Sequence, residues 1–182
     1  MDTVYRSFLE NTLREALDLA RRSDVLRVTP EARLPPAAYL CQFLLPYLRR
    51  GAGGIVEVSP GPVVCYVRFP QDYLWSTDSH LGLRIASVAN RDFVHPNAVG
   101  GGPVCLGAEF RPGTSFGELI WQLYSIVSYR NRTVDERNAF DAEACRLLRS
   151  HDSLLAGLEP PPLFRKRKTL GPSSIRKVEA RL

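Results

Sequence analysis

Residues 93–107, FVHPNAVGGGPVCLG, place a His-Pro-Asn triplet ten residues before Cys105, with three consecutive glycines between them. A cysteine thiolate is nucleophilic enough to exchange acyl groups as thioesters, although a free thiol is mostly protonated at neutral pH. Irregular segments that follow regular elements are where exposed reactive groups are usually carried. The segment therefore predicts acyl-transfer chemistry at Cys105.

Two polar side chains of the triplet are candidates to assist this thiol. Asn97 has an amide N–H that suits an acyl oxyanion, but its amide also suits a role in holding the loop that carries Cys105, and the sequence leaves both open. His95 is a candidate base, but Pro96 fixes the backbone in a turn and ten residues separate the imidazole from the thiol. We therefore interpret His95 as a structural support that hydrogen-bonds the loop.

The other three cysteines lie in apolar patterns that predict buried, structural positions. Cys41 and Cys65 are in predicted strands and Cys145 is in a predicted helix, and free cysteine is among the most buried residue types. The chain has no C-x-x-C pair, and its three histidines do not complete a zinc-ligand spacing. We expect no disulfide framework, no metal site and no cofactor.

The composition is typical of one globular domain with a basic end. The chain has 182 residues, and no stretch approaches the roughly 18 consecutive apolar residues of a membrane span. Its N-terminus carries charges where a signal peptide has an apolar run, which favours a cytoplasmic protein. Residues 163–182 contain seven basic residues and one acidic residue, so the net charge of +5 belongs to this end.

The hydrophobic pattern predicts an α+β fold that presents Cys105 after a sheet. Apolar residues recur at helical spacing over residues 2–22 and predict an amphipathic helix. Short β-branched and aromatic runs then predict a four-stranded antiparallel meander, followed by the irregular segment of the site. The predicted strands are AAYLCQFLLPYLRR, GGIVEVS, PVVCYVRFP and LGLRIASV.

Two helices are predicted after the irregular segment. Residues 115–129 place apolar side chains on one face, behind an N-cap at Thr114 or Ser115. Thr133 and Glu136 have the spacing of a capping box and predict a second helix that ends near residue 149.

A domain boundary is predicted near residue 150. Residues 1–150 contain all the predicted helices and strands, and would form the domain that carries the site. Residues 151–182 are rich in proline and then basic, with little apolar material to bury, and are predicted to form an extension.

The spacing of H-P-N and C-L, followed by a helix and a D-x-x-N segment, resembles the ubiquitin-conjugating enzyme family. The resemblance extends from the first helix to about residue 150, and the order of the elements agrees with it. The sequence after FPQDY and the short segment after Cys105 depart from the family and are similar to its divergent prokaryotic members. The residues that match at motif level are His95, Pro96, Asn97, Cys105, Leu106, Asp135 and Asn138.

This resemblance implies a ubiquitin-conjugating-enzyme-like fold and a bacterial acyltransferase. An activating enzyme would pass the C-terminal glycine of a ubiquitin-like protein to Cys105, and an amine of a target protein, usually a lysine, would attack the thioester. The prokaryotic members lie in operons that often encode a deconjugating protease, and antiviral defence is the implied setting. By the same resemblance, Asn97 and Asp135 would be catalytic, with His95, Pro96, Leu106 and Asn138 as structural support of the site.

Two features of the implied site have a simpler alternative. Asp135 is either an acid that orients or deprotonates the attacking amine, or a first-turn acid that the dipole of the predicted helix favours. Gly100, Gly101 and Gly102 either let the tail of the ubiquitin-like protein pass close to the chain or form a flexible loop. The sequence leaves these alternatives open.

Lysine is confined to the predicted extension, at Lys166, Lys168 and Lys177, whereas the chain has 21 arginines. GC-rich codon usage explains this bias most simply. If the resemblance holds, a domain without lysine also avoids modifying itself while its thioester waits, and the lysines of the extension are the nearest intramolecular acceptors.

Three other functions fit parts of the sequence. A non-catalytic relative of the same fold would bind a ubiquitin-like protein or its activating enzyme without a thioester, but such modules typically lack the cysteine. A cysteine hydrolase needs a base, for which His80, His95 and His151 are the candidates, none of them in a recognised protease motif. Nucleic-acid binding would depend on the basic extension alone.

Overall fold

The structure of the chain, a computed structural model, describes residues 2–107 and 110–164. The basic part of the predicted extension, with Lys166, Lys168 and Lys177, lies outside the described residues, so the hypothesis about these lysines stays a prediction. No helix in the described part of the chain is long and apolar enough to cross a membrane.

The chain begins with helix α1, Thr3–Arg22, as the spacing of its apolar residues predicted. The Asp2 side chain caps this helix by accepting a hydrogen bond from the Val4 N–H at 3.0 Å. One face of α1 contributes to the core of the protein, because the residues that recur on it are buried. These buried residues are Tyr5, Leu9, Thr12, Ala16 and Leu19.

Within the described residues, six strands follow and form two separate sheets. The order β1-β2-β5-β6 gives a four-stranded antiparallel sheet, while β3 and β4 form a two-stranded antiparallel sheet. The strands are β1 Leu26–Pro30, β2 Ala38–Phe43, β3 Tyr47–Arg50, β4 Val56–Ser59, β5 Val63–Arg68 and β6 Ala86–Val88.

The predicted four-stranded antiparallel sheet is confirmed, but its strands are not the four consecutive runs of the predicted meander. Strand β1 comes from a segment that was interpreted as a loop, and it lies at the edge of the sheet, where Pro30 is tolerated. The first predicted strand divides into β2 and β3 around Pro46, which has no N–H to donate to a ladder. The second predicted strand, β4, pairs only with β3.

The last predicted strand, LGLRIASV, is wrong over its first part. Leu81–Ile85 form a short helix, α2, and only Ala86–Val88 join the sheet as β6. Leu81 and Ile85 are four residues apart and both are buried, so the run has helical spacing as well as a strand-like composition.

Helix α3, Phe116–Val127, begins at the predicted N-cap Ser115. The Ser115 hydroxyl accepts a hydrogen bond from the Glu118 N–H at 3.2 Å, and the Glu118 carboxylate accepts one from the Ser115 N–H at 3.0 Å. The Phe116 ring lies 4.9 Å from the ring of Tyr39 on β2. The core therefore lies between α3 and one face of the main sheet, with α1 packed on β1 and α3.

Helix α4, Ala142–Ser150, exists as predicted but begins later. The Asp141 carboxylate caps it by accepting a hydrogen bond from the Ala144 N–H at 2.9 Å. The predicted capping box at Thr133 and Glu136 is wrong, because the Glu136 carboxylate forms ion pairs with Arg146 and Arg149 of α4. A short helix, α5, follows at Asp152–Ala156.

The proline-rich part of the predicted extension packs on the rest of the protein. Leu158 and Leu163 are buried, so this segment has more apolar material to bury than its composition indicated. The Ser23 hydroxyl donates a hydrogen bond to the Leu163 carbonyl, and the Tyr124 hydroxyl donates one to the Pro161 carbonyl. The division of the chain at residue 150 stays a prediction.

Candidate active site

Among the four cysteines, all of which are described, Cys105 is the only one that is not buried. Cys41 and Cys65 are paired across β2 and β5 and have no exposed surface, and Cys145 is buried in α4. Burial raises the pKa of Cys41 and raises the pKa of Cys65 to about 12, so these two side chains stay thiols. The predicted burial of these three cysteines is confirmed, and Cys105 is the candidate nucleophile.

The backbone that leads to Cys105 is fixed by hydrogen bonds on both sides. The Val104 N–H donates to the Ala86 carbonyl at 2.9 Å, which joins the segment to β6. The Cys105 N–H donates to the Asn97 carbonyl at 2.7 Å. The sulfur is therefore carried on a segment that is held to the sheet and to the His-Pro-Asn triplet.

His95 is completely buried next to this segment and stays neutral at physiological pH. Its ring stacks on the Phe93 ring at a centroid distance of 5.8 Å and lies 5.0 Å from the Tyr129 ring. Nδ1 accepts a hydrogen bond from the Asn97 N–H at 2.9 Å, so Nε2 carries the proton. Burial, together with the nearby Arg132 charge, lowers the pKa of His95 to about 3. Such a ring supports a loop and cannot exchange protons with a substrate.

Nε2 of His95 forms no hydrogen bond of standard geometry with the described residues. The Ile126 carbonyl still interacts with the ring, and partly opposes the lowering of its pKa. A buried polar atom with a weak hydrogen-bond partner lowers the stability of the folded protein. Its presence next to the Cys105 segment is consistent with a local geometry that the surrounding packing constrains.

Asn97 is hydrogen-bonded to three parts of the site, and in its side-chain amide the oxygen is the atom that forms a hydrogen bond. Its Oδ1 accepts a hydrogen bond from the Thr133 N–H at 2.8 Å. Because the donor is a backbone N–H, the facing atom must be the oxygen of the amide, and Nδ2 must lie on the other side. Nδ2 has no hydrogen-bond partner among the described residues. Asn97 therefore braces a loop through its oxygen and keeps an N–H donor for another group.

Residues 93–98, which we call the motif segment, are anchored to three further elements. The Pro96 carbonyl accepts a hydrogen bond from the N–H of Asp141, the N-cap of α4. The Tyr129 hydroxyl, after the end of α3, donates to the Val94 carbonyl at 3.0 Å and accepts from the Leu48 N–H of β3 at 2.9 Å. All residues of the motif segment except Asn97 are buried.

Cys105 opens onto a cleft of about 530 Å³. Its floor is apolar and includes the buried side chains of Leu81, Leu106 and Phe110. Residues 76–80, which we call the wall segment, also line the cleft. Residues 77–80 are exposed, so the cleft has a polar wall above an apolar floor.

Helix α2 holds the wall segment in place in the cleft that Cys105 lines. A Cβ at Gly82 would lie 3.6 Å from Leu106 Cβ, so α2 packs closely on the residue that follows Cys105. Arg84 binds the Asp78 carboxylate at 3.2 Å and the Asp72 carboxylate at 3.3 Å. The His80 N–H bond to Asp78 and the Arg84 ion pair lower the pKa of Asp78.

The three glycines form a tight turn that packs on the chain itself. A Cβ at Gly100 would lie 2.4 Å from the Arg91 carbonyl oxygen, so this position has no space for a side chain. The Gly101 N–H donates to the Asn90 carbonyl at 2.9 Å, with φ of +71° at Gly101. The described residues that line the cleft do not include Gly100, Gly101 or Gly102, so passage of a tail over them stays a prediction.

Asp135 and Asn138 form a turn that precedes α4. The Asp135 carboxylate accepts hydrogen bonds from the Asn138 side chain and the Arg137 N–H, each at 3.0 Å. Because α4 begins at Ala142, the alternative in which Asp135 is a first-turn acid of that helix is wrong. The residue of this loop that lines the cleft is Phe140, and Asp135 is not among the described lining residues.

The structure thus brings together only part of the predicted site. Cys105 and Leu106 line the cleft and Asn97 is bonded to Cys105, whereas Asp135 with Asn138 and the three glycines lie outside its lining. His80, which the sequence offered only as a candidate base of a hydrolase, lines the cleft with Cys105. No sequence signal pairs these two residues, because the packing of α2 on Leu106 brings them to one cleft.

Within the described residues, no group of three or more His, Cys, Asp or Glu side chains could hold a metal ion. No protein-family model matches the chain, and no curated protein matches its sequence. The chemistry of the site is therefore inferred from the accessible thiol, the hydrogen bonds around it and the cleft in front of it.

Proposed function

We propose that Cys105 carries a ubiquitin-like protein as a thioester, received from an activating enzyme, and transfers it to an amine of a target protein. The observation that carries this proposal is one accessible cysteine, bonded to a buried His-Pro-Asn turn, at the edge of an open cleft. The order of the elements and the sequence motifs support a ubiquitin-conjugating-enzyme-like fold. The resemblance of these motifs to the ubiquitin-conjugating enzyme family is the reason for proposing that the transferred group is a ubiquitin-like protein.

The transfer needs two acyl exchanges at the same sulfur. In the first, the Cys105 thiolate attacks the thioester carbonyl on the activating enzyme, whose cysteine leaves as a thiolate. In the second, an amine attacks the thioester on Cys105, and the Cys105 sulfur leaves. Both steps pass through a tetrahedral intermediate with an oxyanion, for which the Nδ2 donor of Asn97 is a candidate, since Asn97 is hydrogen-bonded to Cys105 through the backbone.

The apolar floor of the cleft supports attack by an amine. With a pKa near 10.4, about one lysine in 10³ is a free base at neutral pH. Removal of an ammonium group from water disfavours its charged form and lowers its pKa. An amine that reaches the thioester above Leu81, Leu106 and Phe110 would lose part of its hydration.

A non-reducing gel tests the proposal. The protein is incubated with ATP and with a ubiquitin-like protein and its activating enzyme, which the resemblance predicts among the neighbouring genes. We expect an adduct that thiol reductant removes and that Cys105→Ala abolishes. Cys105→Ser should instead give an adduct that resists reductant, because an oxygen ester replaces the thioester.

Cys145→Ala and Cys65→Ala are the matched controls, since each removes a buried thiol and leaves Cys105 in place. Both should keep the adduct. An adduct that persists in Cys105→Ala would overturn the assignment of the nucleophile. A stable complex of the wild-type protein with either partner, without any adduct, would favour the non-catalytic binding module.

A further inference from the structure

His80 lines the same cleft as the cysteine that carries the acyl group. We propose that His80 is a catalytic residue of the transfer step, whose imidazole accepts the proton of the attacking amine and returns it to the sulfur of Cys105. This inference rests on the proposed function, because it requires an acyl group on Cys105.

The backbone of His80 is fixed by hydrogen bonds, and the residue lines the cleft. The His80 N–H donates to Asp78 Oδ1 at 2.8 Å, and its carbonyl accepts from the Leu83 N–H at 3.0 Å. His80 itself is exposed and is the residue before α2. Since α2 packs through Gly82 on Leu106, the residue after Cys105, His80 is held in the cleft that Cys105 also lines.

Of the three histidines, all described, His80 alone lines the cleft. His95 is completely buried, and burial holds the pKa of its ring at about 3. His151 lies at the end of α4, where its Nδ1 is 2.9 Å from the Leu147 carbonyl. Histidine is the side chain best suited to accept and return protons at physiological pH, so His80 is the candidate that the cleft offers.

The charged and titratable residues that line the cleft with His80 are Asp78, Cys105 and Arg111. Asp78 belongs to the wall segment with His80 and is paired with Arg84 of α2. Charges of both signs are therefore present in the cleft that His80 lines.

The step balances without an added oxidant or reductant. The amine nitrogen attacks the thioester carbonyl carbon, a C–N bond forms, and the carbonyl oxygen becomes an oxyanion. The nitrogen then carries a positive charge and is more acidic than a free ammonium, so the imidazole takes its proton. The C–S bond breaks, and the imidazolium returns the proton to sulfur, which leaves an amide and the free thiol of Cys105.

A small acyl donor allows the step to be tested apart from any partner protein. A glycine-terminated peptide thioester is used to acylate Cys105, and the isolated acyl-protein is mixed with free lysine over a range of pH. Mass spectrometry follows both the loss of the acyl group and the formation of the lysine amide. The proteins compared are wild type, His80→Gln, His80→Ala and, as a matched control, His151→Gln.

We expect His80→Gln to accept the acyl group as fast as wild type but to release it to lysine on the order of 10²-fold more slowly, the usual contribution of a general base. Its release should also lose the part of the pH profile that depends on the imidazole. Added imidazole should restore release in His80→Ala, which a purely structural role would not predict. His151→Gln should behave as wild type.

The outcomes separate this inference from the function on which it rests. If Cys105 accepts no acyl group, the proposed function fails and the role of His80 fails with it. If the acyl group forms and His80→Gln releases it at the wild-type rate and pH profile, only the role of His80 is overturned. If the release depends on His80 but gives the free acid, His80 activates water, and transfer to an amine is overturned in favour of a hydrolase.

Discussion

The motif segment and the wall segment, which we call the buried side and the exposed side of the candidate site, are built in opposite ways. The motif segment is buried except for Asn97, and its polar groups are bonded to α4, to β3 and to the residues after α3. The wall segment is exposed at residues 77–80 and is held by the surface ion pairs of Arg84. Under the proposed function, this difference would be a division of labour, in which the buried side positions the sulfur and an oxyanion donor, and the exposed side admits the acceptor and moves protons.

The largest effect on the rate of acyl release is expected from Asn97→Asp, on the buried side. Aspartate keeps an oxygen that can accept the Thr133 N–H, but it has no N–H for an oxyanion and adds a negative charge. The release of an acyl group from Cys105 to lysine should fall by about 10²- to 10³-fold. Single-turnover release measures this change, and thermal unfolding should stay close to that of the wild type.

Asn97→Ala is the control that removes both the oxygen acceptor and the N–H donor of the amide. It should slow the release by a similar factor and also lower the free energy of unfolding by about 1–2 kcal/mol, since the Thr133 N–H loses its partner. If Asn97→Asp released the acyl group at the wild-type rate, the side chain would be a brace alone.

A second prediction concerns the loss of stability in acid that the buried, neutral His95 causes. The ring has a pKa of about 3 in the folded protein and about 6.5 when unfolded, so between these values the unfolded state binds the extra proton. Stability from this group is therefore present above pH 6.5 and is lost as the pH falls. The free energy of unfolding should decrease by about 3 kcal/mol from this residue between pH 7 and pH 4.

Urea unfolding at both pH values measures this loss. His95→Asn keeps an acceptor for the Asn97 N–H but has no imidazole to titrate, so it should be less stable at pH 7 and show a smaller decrease at pH 4. An equal decrease in the two proteins would contradict the neutral, buried state of His95.

The sequence predicted those parts of the fold in which apolar residues recur at a regular local spacing. Helices α1 and α3 were predicted because their apolar residues recur at helical spacing behind a polar cap. Strand β1 was missed because it is short and ends in Pro30, and its pairing with β2 joins residues far apart in the chain, such as Leu26 and Phe43. Helix α4 was predicted, but its start was not, because Glu136 pairs with arginines of α4.

The candidate site shows the same limit. Cys105 and Asn97 could be found from the sequence, because their motif lies within one short segment. The cleft could not, because it depends on the packing of α2 on Leu106, in a run that had a strand-like composition. His80 therefore became a specific candidate only when the wall segment was placed in the cleft that Cys105 lines.

A third prediction tests the rigidity of the buried side at Tyr129. Tyr129→Phe removes the hydroxyl that bonds both the Val94 carbonyl and the Leu48 N–H, and leaves two backbone groups without this partner in a buried position. The free energy of unfolding should fall by about 2 kcal/mol, as urea unfolding at pH 7 would show. Tyr66→Phe, at an exposed position on β5, is the matched control and should be neutral. An unchanged urea midpoint for Tyr129→Phe would contradict the view that the buried side is held more rigidly than the exposed side.

The smallest effect on stability is expected from Arg84→Met, although this change removes the ion pairs with Asp78 of the wall segment and with Asp72 before it. Exposed ion pairs contribute little to stability, because water and salt screen them and two flexible side chains must be ordered. The urea midpoint should therefore match that of Arg6→Met, which removes an exposed ion pair on α1. The release of the acyl group to lysine should nevertheless slow in Arg84→Met and stay unchanged in Arg6→Met, because His80 would lose its fixed position. If Arg84→Met instead lowered the midpoint as much as Tyr129→Phe, the wall segment would be part of the rigid framework, and the division of labour between the two sides would be wrong.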